Sequence, residues 1–172
     1  MAAMMIRSVA EDDFVAIASI TNHYIATSTI HFAYEPLTPD QLHAMWRGHE
    51  HHPWFVASDR QGVVGYAKSG VWRERTAYRW TAEVGLYLAP HACGRGLGTG
   101  LYDALLEELV RRGFRSAIAG ITLPNDASVA LHEKAGFERV GTFLDAGWKH
   151  DAWHAVEFWQ KRFATGPGGP AA

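Results

Sequence analysis

The clearest chemistry in this sequence is concentrated in one stretch, His91-Ala92-Cys93-Gly94-Arg95-Gly96-Leu97-Gly98-Thr99-Gly100. An apolar run rich in β-branched and aromatic residues, Trp80 to Leu88, precedes it. A helical stripe of Leu101, Leu105 and Leu109, widened by Tyr102 and Leu106, follows at once. Strand, glycine-rich turn and helix in that order aim backbone N–H groups at an anion at the positive end of a helix. Glycine keeps side chains out of the way, so the turn suits a phosphate. No Lys follows the glycines, which excludes the nucleoside-triphosphatase pattern G-x-x-x-x-G-K-[ST]. G-x-G-x-x-G fails as well, because Thr99 or Leu101 stands at the last required position. What remains is R-G-x-G-x-G. The histidines point elsewhere than to metal. His49, His51 and His52 read H-E-H-H rather than H-E-x-x-H, and His150 and His154 lie among Gly and Trp, where a spacing of four does not align ligands. Cys93 has no partner thiol, and no structural or catalytic metal is expected.

The elements that position this turn can be read along the chain. Met5 to Val9 alternates like a strand. Glu11-Asp12-Asp13 places acid at the head of a helix whose buried face is Phe14, Ile17, Ala18 and Thr21. Thr38-Pro39-Asp40-Gln41 starts a second helix with a capping box, carrying Leu42, Met45, Trp46 and His49 on one face. Trp54–Ser58 and Val63–Ser69 form a hairpin about the turn at 59–62. Gly70 to Tyr78 is a polar loop holding Arg73 and Arg75. Gly113 caps the long helix at its C-terminus. Ser116–Leu123 is a strand, Pro124-Asn125-Asp126 opens a short helix ending at Ala135-Gly136, and Phe137–Leu144 and Ala155–Phe163 complete the sheet.

A chain of 172 residues, 48% of them apolar, fits one domain, expected over 1–163, with a Gly/Pro/Ala-rich tail at 164–172 that reads as disordered. A net charge of −2 with mixed signs argues against a nucleic-acid partner. The lone Cys93 permits no intramolecular disulfide and suits a reducing compartment. No apolar run reaches the length of a secretory segment or membrane span, so a cytoplasmic protein without a membrane partner is expected.

Glu83 to Leu109 resembles the central motif of the GNAT superfamily of acyl-CoA-dependent N-acyltransferases: a strand, Q/R-x-x-G-x-G/A, then a helix. Here the turn reads Cys93-Gly94-Arg95-Gly96-Leu97-Gly98. Asn125, Ser128, Leu131, Gly136 and Phe137 fit the downstream segment N-x-x-[AS]-x-x-[LF]-x-x-x-x-G-F. From about Ile6 to Phe163 the chain is similar to the phosphinothricin and methionine-sulfoximine N-acetyltransferases, through Asn22–Ile25, Thr27–Thr29, Pro53-Trp54, Trp72–Trp80, Leu123–Asp126 and Gly147–Trp159. The resemblance implies an α+β sandwich: a twisted mixed sheet flanked by helices on both faces, its central strands splayed to bind acetyl-CoA. It implies that the backbones of Leu86, Tyr87 and Leu88 pair with the pantetheine arm as an added strand would. The amides of Gly94, Arg95, Gly96, Leu97, Gly98 and Thr99 would hold the pyrophosphate, with Asn125 and Ser128 near the thioester. It sets Arg73, Glu74 and Arg75, with Glu83, Val84 and Gly85, around the acceptor. Two positions depart from the pattern. Cys93 stands where Gln or Arg is common, and His132 where many members carry Tyr.

Acetyl transfer to an amine needs a base, oxyanion donors, a proton for the leaving thiolate and close positioning of the reactants. Glu83 is the candidate base, its pKa raised by Trp80, Val84 and Leu86; alternatively it is a strand-face carboxylate paired with Arg79. The Leu86 N–H is the candidate oxyanion donor. His132 is the candidate proton donor, with Tyr102 and Tyr87 as further possibilities. Arg73 and Arg75 suit a carboxylate and a phosphinate, sulfone or sulfoximine, or are solvated surface arginines. Phe32, Trp72 and Tyr78 could wall the pocket. The expected function is acetylation of a small amino-acid-like amine; a peptide, polyamine or aminoglycoside acceptor, or a CoA-binding sensor, are the alternatives. The resemblance implies a homodimer, for which the C-terminal aromatics could serve.

Overall fold

The structure, a computed structural model, describes residues 4–164. The expected disordered tail therefore lies, apart from Ala164, outside the described residues. In chain order the elements are β1 (Met5–Ser8), α1 (Phe14–Thr27), α2 (Pro39–Arg47), β2 (Trp54–Asp59), β3 (Gly62–Val71), β4 (Thr81–Leu88), α3 (Leu97–Arg111), β5 (Ser116–Thr122), α4 (Asp126–Lys134), β6 (Glu138–Lys149) and β7 (Ala152–Arg162). They build a seven-stranded sheet in the order β1-β2-β3-β4-β5-β7-β6, antiparallel except between β4 and β5.

Neighbouring residues of a strand point to opposite faces, and β3 shows which helix covers which. Tyr66 meets α1, its hydroxyl 2.6 Å from Thr21 Oγ1. Gly65 meets α3: a Cβ there would lie 3.5 Å from Leu101 Cδ1. Helix α2 joins α1 through Phe14 and Trp46, ring centres 5.5 Å apart. Helix α4 packs against α3, where a Cβ on Gly98 would lie 3.1 Å from Leu131 Cδ2. The sheet is thus covered on both faces, as expected. Leu101, Leu105 and Leu109 of α3 are fully buried, each worth about 1.5–3 kcal/mol of removed apolar surface.

The feature that matters most for function is a divergence at the sheet's centre. The parallel pairing of β4 and β5 stops after Thr81↔Ser116, Ala82↔Ala117 and Glu83↔Ile118. Beyond Glu83, β4 stays with β3 as far as Leu88↔Gly65, while β5 stays with β7 as far as Thr122↔Val156. A wedge opens between them.

Three local readings change. The capping box of Thr38 and Gln41 is present, but α2 ends at Arg47 and buries only Leu42 of its expected face. Loop 70–78 is shortened, because β3 runs on to Val71 and a 3₁₀ turn spans Thr76–Tyr78. The last hairpin is longer than its alternation suggests. Strand β6 reaches Lys149 through an irregularity between Phe143 and Gly147, where Asp145 has φ of 50°. His150 and Asp151, both left-handed, then turn the chain as a two-residue hairpin loop requires.

Candidate active site

On the α3 face, a cleft of about 390 Å³ follows the wedge. Leu86, Tyr87 and Leu88 line it, as do Gly94, Gly96, Leu97, Gly98 and Thr99, and Asn125 and Ser128. Every expected cofactor contact is therefore at this cleft except Arg95, whose exposed side chain turns to Asp59, 3.9 Å away. The ladder explains why β4 is available to a ligand. Ala89 N–H donates to Val64 O at 2.8 Å, and antiparallel bonding alternates along a strand. Leu86 and Leu88 accordingly turn their backbone groups away from β3, toward the wedge. One acceptor there is occupied: Tyr24 Oη donates to Leu88 O at 2.6 Å. At the turn, Gly94 and Gly96 have φ of 74° and 79°, a conformation that costs an L-residue free energy and that aims N–H groups into the space ahead of α3. A Cβ at either position would meet nothing within 4 Å, so the glycines serve backbone conformation and leave room above the loop. The donors, the open strand edge and the helix N-terminus fit a pyrophosphate joined to an amide-bearing arm.

On the α1 face, a second cleft of about 400 Å³ is lined by Glu83, Val84, Gly85 and Glu74 among the expected residues. Tyr87 lines both clefts. The carboxyl of Glu83 is solvent-accessible, yet burial against the cleft raises its pKa, an effect Lys68 partly offsets. The expected direction holds, but part of the expected cause does not. Leu86 lies toward α3, 3.7 Å from where a Gly98 Cβ would be, and Val84 shares that parity, so neither side chain faces the Glu83 carboxyl. Among the described residues Glu83 forms no salt bridge, and Arg79 instead stacks over Trp80, 5.2 Å from its ring centre.

Arg73 and Arg75 are not brought to this cleft. Both are exposed and line a neighbouring groove with Glu74, Tyr78 and Arg79. Arg73 lies 5.2 Å from the Trp72 ring centre. The expected aromatic walls are elsewhere too: Trp72 packs on Phe158, and Phe32 fills the space beside Gly147.

His132, the expected proton donor, faces the interior. It is 5% exposed and lines neither cleft. Its Nδ1 lies 2.7 Å from Ser128 O and its Nε2 2.7 Å from Tyr102 Oη. A carbonyl can only accept, so Nδ1 carries the proton and Nε2 accepts from the tyrosine. Burial lowers its pKa. Both ring nitrogens are engaged inside the protein, Tyr102 is 1% exposed, and neither residue lines the two clefts. Asn125 also has structural work, since its Oδ1 accepts from Ser128 N at 3.2 Å and caps α4.

The sequence reading passed over Lys68, Trp54, Met45 and His49 as site residues, and all four line the Glu83 cleft. A signal existed for Lys68: alternation in Val63–Ser69 puts it on the same face as Tyr66, where a lysine is out of place unless a site lies there. Tyr87 brings a side chain to the site as well as backbone. Its side chain stacks on Tyr66 at 5.4 Å, and its hydroxyl bonds to no described residue. Burial and Glu83 push its pKa up to about 12, so it carries its proton at neutral pH. Among the described residues no three His, Cys, Asp or Glu side chains converge as metal ligands.

Comparison with known proteins gives a consistent set. Residues 14–137 match the family model described as acetyltransferase (GNAT) family. The phosphinothricin N-acetyltransferase of Streptomyces viridochromogenes is 43% identical over 159 residues, 92% of this chain and 87% of that protein. The L-methionine sulfoximine/L-methionine sulfone acetyltransferase of Pseudomonas aeruginosa is 33% identical over 158 residues, 90% and 92% of the two chains. A phosphinothricin acetyltransferase from Sinorhizobium meliloti, solved in complex with acetyl-CoA, superposes with a TM-score of 0.91 at 31% identity, covering 98% of this chain and 93% of that one.

Proposed function

The chain belongs to the acetyltransferase (GNAT) family, and from that premise we propose that it transfers the acetyl group of acetyl-CoA to the amine of a small amino-acid-like acceptor of the phosphinothricin, methionine sulfoximine or methionine sulfone type. The observation that carries the reading is the meeting of two clefts at Tyr87, where β4 and β5 part. One cleft offers backbone donors to a phosphate-bearing arm. The other holds a carboxyl of raised pKa. The named relatives supply the acceptor class.

When bound, acetyl-CoA supplies an activated acetyl carbonyl. Glu83 takes the proton the acceptor's ammonium must lose, directly or through a water, and its raised pKa suits that exchange near neutrality. As the amine nitrogen bonds to the carbonyl carbon, negative charge grows on the carbonyl oxygen, and the Leu86 N–H faces the wedge where that charge develops. The carbon–sulfur bond then breaks, and the departing sulfur takes a proton. We assign that donor to Tyr87 rather than His132, because Tyr87 lines both clefts, keeps its proton at neutral pH and bonds through its hydroxyl to no described residue; the phenolate it leaves takes up the second proton that the nitrogen sheds on becoming an amide. Holding both reactants in adjoining clefts supplies the positioning.

Two finer points belong to the same reading. Exposed Phe143, Leu144, Trp148 and Trp153 on the final hairpin form an apolar surface suited to a homodimer. No helix among the described residues is long and apolar enough to cross a membrane, and a cytoplasmic setting suits the co-substrate.

The test is release of CoA from acetyl-CoA, followed with a thiol-reactive dye, against phosphinothricin, methionine sulfoximine, methionine sulfone, ordinary amino acids, spermidine, an aminoglycoside and a peptide. Turnover concentrated on the first three is expected. Turnover only on the polyamine, aminoglycoside or peptide keeps the enzyme class and overturns the acceptor.

A further inference from the structure

We propose that Lys68 determines acceptor specificity by binding the α-carboxylate of the amino acid whose amine faces Glu83. This deepens the acceptor reading above and rests on it. With Arg73 and Arg75 turned to the neighbouring groove, the Glu83 cleft needs another cation if it is to recognise an anionic acceptor, and Lys68 is the lysine that lines it.

The register sets the geometry. Lys68 stands opposite Gly85, and Glu83 opposite Gly70. The two charged residues are diagonal neighbours on one face, about 7–8 Å apart at the backbone, and each faces a glycine. A Cβ on Gly70 would meet nothing within 4 Å. A Cβ on Gly85 would touch only Tyr87 Cε2 at 3.7 Å and Lys68 Cε at 3.9 Å. The floor between cation and carboxylate is bare backbone, with room for a ligand that bridges them. An α-amino acid has the matching charge pattern, because its ammonium and carboxylate sit on one carbon.

Lys68 is also incompletely satisfied by the protein. Its Nζ lies 5.4 Å from the Trp54 ring centre and makes no hydrogen bond or salt bridge with any described residue. An ammonium has three donors and no acceptor capacity, and on this half-buried lysine no described residue takes any of them, which leaves them to whatever occupies the cleft. Among the described residues the attractive charge acting on it is Glu83, which the reaction neutralises when it takes the proton. A carboxylate at Lys68 would supply the missing acceptor. Spermidine or an aminoglycoside could meet Glu83 and Glu74 but would bring no acceptor to Lys68.

The test compares methionine sulfone with its carboxamide, which keeps the amine and removes the anion, using wild type and Lys68→Met. Wild type should prefer the acid by about tenfold to a hundredfold in kcat/KM, the range for hydrogen bonds to a charged group. In Lys68→Met the KM for methionine sulfone should rise by a similar factor, the acid-to-amide preference should fall to near one, and the Kd for acetyl-CoA should not change. Lys68→Arg should restore part of the preference. A wild-type acid-to-amide ratio near one overturns the proposal, as does an undiminished ratio in Lys68→Met; both leave the acceptor reading standing. If Lys68→Met no longer binds acetyl-CoA, Lys68→Gln and the wild-type ratio decide by the same criteria. A wild type that acetylates a polyamine or peptide and no α-amino acid overturns both readings.

Discussion

Replacing Gly96 with Ala isolates the glycine-rich turn from everything else in the site. Gly96 is the N-cap of α3 at φ of 79°. A methyl group there meets nothing within 4 Å, so packing opposes it little and the cost comes from the left-handed backbone. That conformation costs an L-residue about 1–2 kcal/mol. The free loop of the variant relaxes toward negative φ, and ligand binding must draw it back. At 1.4 kcal/mol per tenfold, the Kd for CoA should weaken by about 5- to 30-fold. Gly62 is a control, because it has φ of 120° in the β2–β3 turn, away from both clefts. Gly62→Ala should lower the melting temperature without changing the Kd. Titration calorimetry with CoA measures the first effect. Acetyl-pantetheine, which lacks the pyrophosphate, localises it: Gly96→Ala should turn it over with wild-type KM. An unchanged CoA Kd, or an equal loss with acetyl-pantetheine, would refute the assignment of this turn to the pyrophosphate.

Glu83→Gln should lower kcat by about 10²- to 10⁴-fold while preserving the acetyl-CoA Kd, and in wild type kcat/KM should rise with pH through a carboxyl pKa above the ordinary range; a variant retaining a tenth of wild-type kcat sinks the base. His132→Phe should cost about 1–3 kcal/mol in denaturant unfolding, because the buried Tyr102 hydroxyl loses its acceptor, with kcat within a few fold of wild type. A hundredfold loss of kcat in folded His132→Phe would return His132 to the chemistry. His31 and His52 have pKa values lowered to about 4, mainly by burial. The unfolded chain therefore binds more protons between about pH 6.5 and 4, and stability should fall as pH drops through that window. His52→Leu should flatten the slope of melting temperature against pH, and an unaltered slope would count against it.

How much of the site the sequence reveals depends on how local each requirement is. The Gly94–Gly98 turn is legible because its need, left-handed backbone before a helix, lies within a few residues. The Asn125 cap and the strand carrying Glu83 are local in the same way. Lys68 is different: its role depends on the β3–β4 register that sets it diagonal to Glu83 over Gly70 and Gly85. Arg73 and Arg75 have the right charge for an anionic acceptor, but the extension of β3 to Val71 and the turn at Thr76–Tyr78 carry them to the next groove. His132 occupies the expected helix position, and its rotation inward depends on Tyr102, a turn of α3 that sequence spacing does not connect to it. The last hairpin hid its length because Asp145 breaks the alternation by which strands are recognised.

The early parting of β4 and β5 also makes this an unfinished sheet. Only Thr81–Glu83 against Ser116–Ile118 sew β1–β4 to β5–β7, so the seam is the weakest line across the strands. A ligand that hydrogen-bonds to Leu86 and Leu88 extends the ladder where the chain leaves it, and so is a missing strand as well as a reactant. The enzyme should then stiffen as it loads. At 100 times its Kd such a ligand adds about 2.7 kcal/mol to stability, and slowed amide exchange should be concentrated along the far half of β4, recording the closing of the seam.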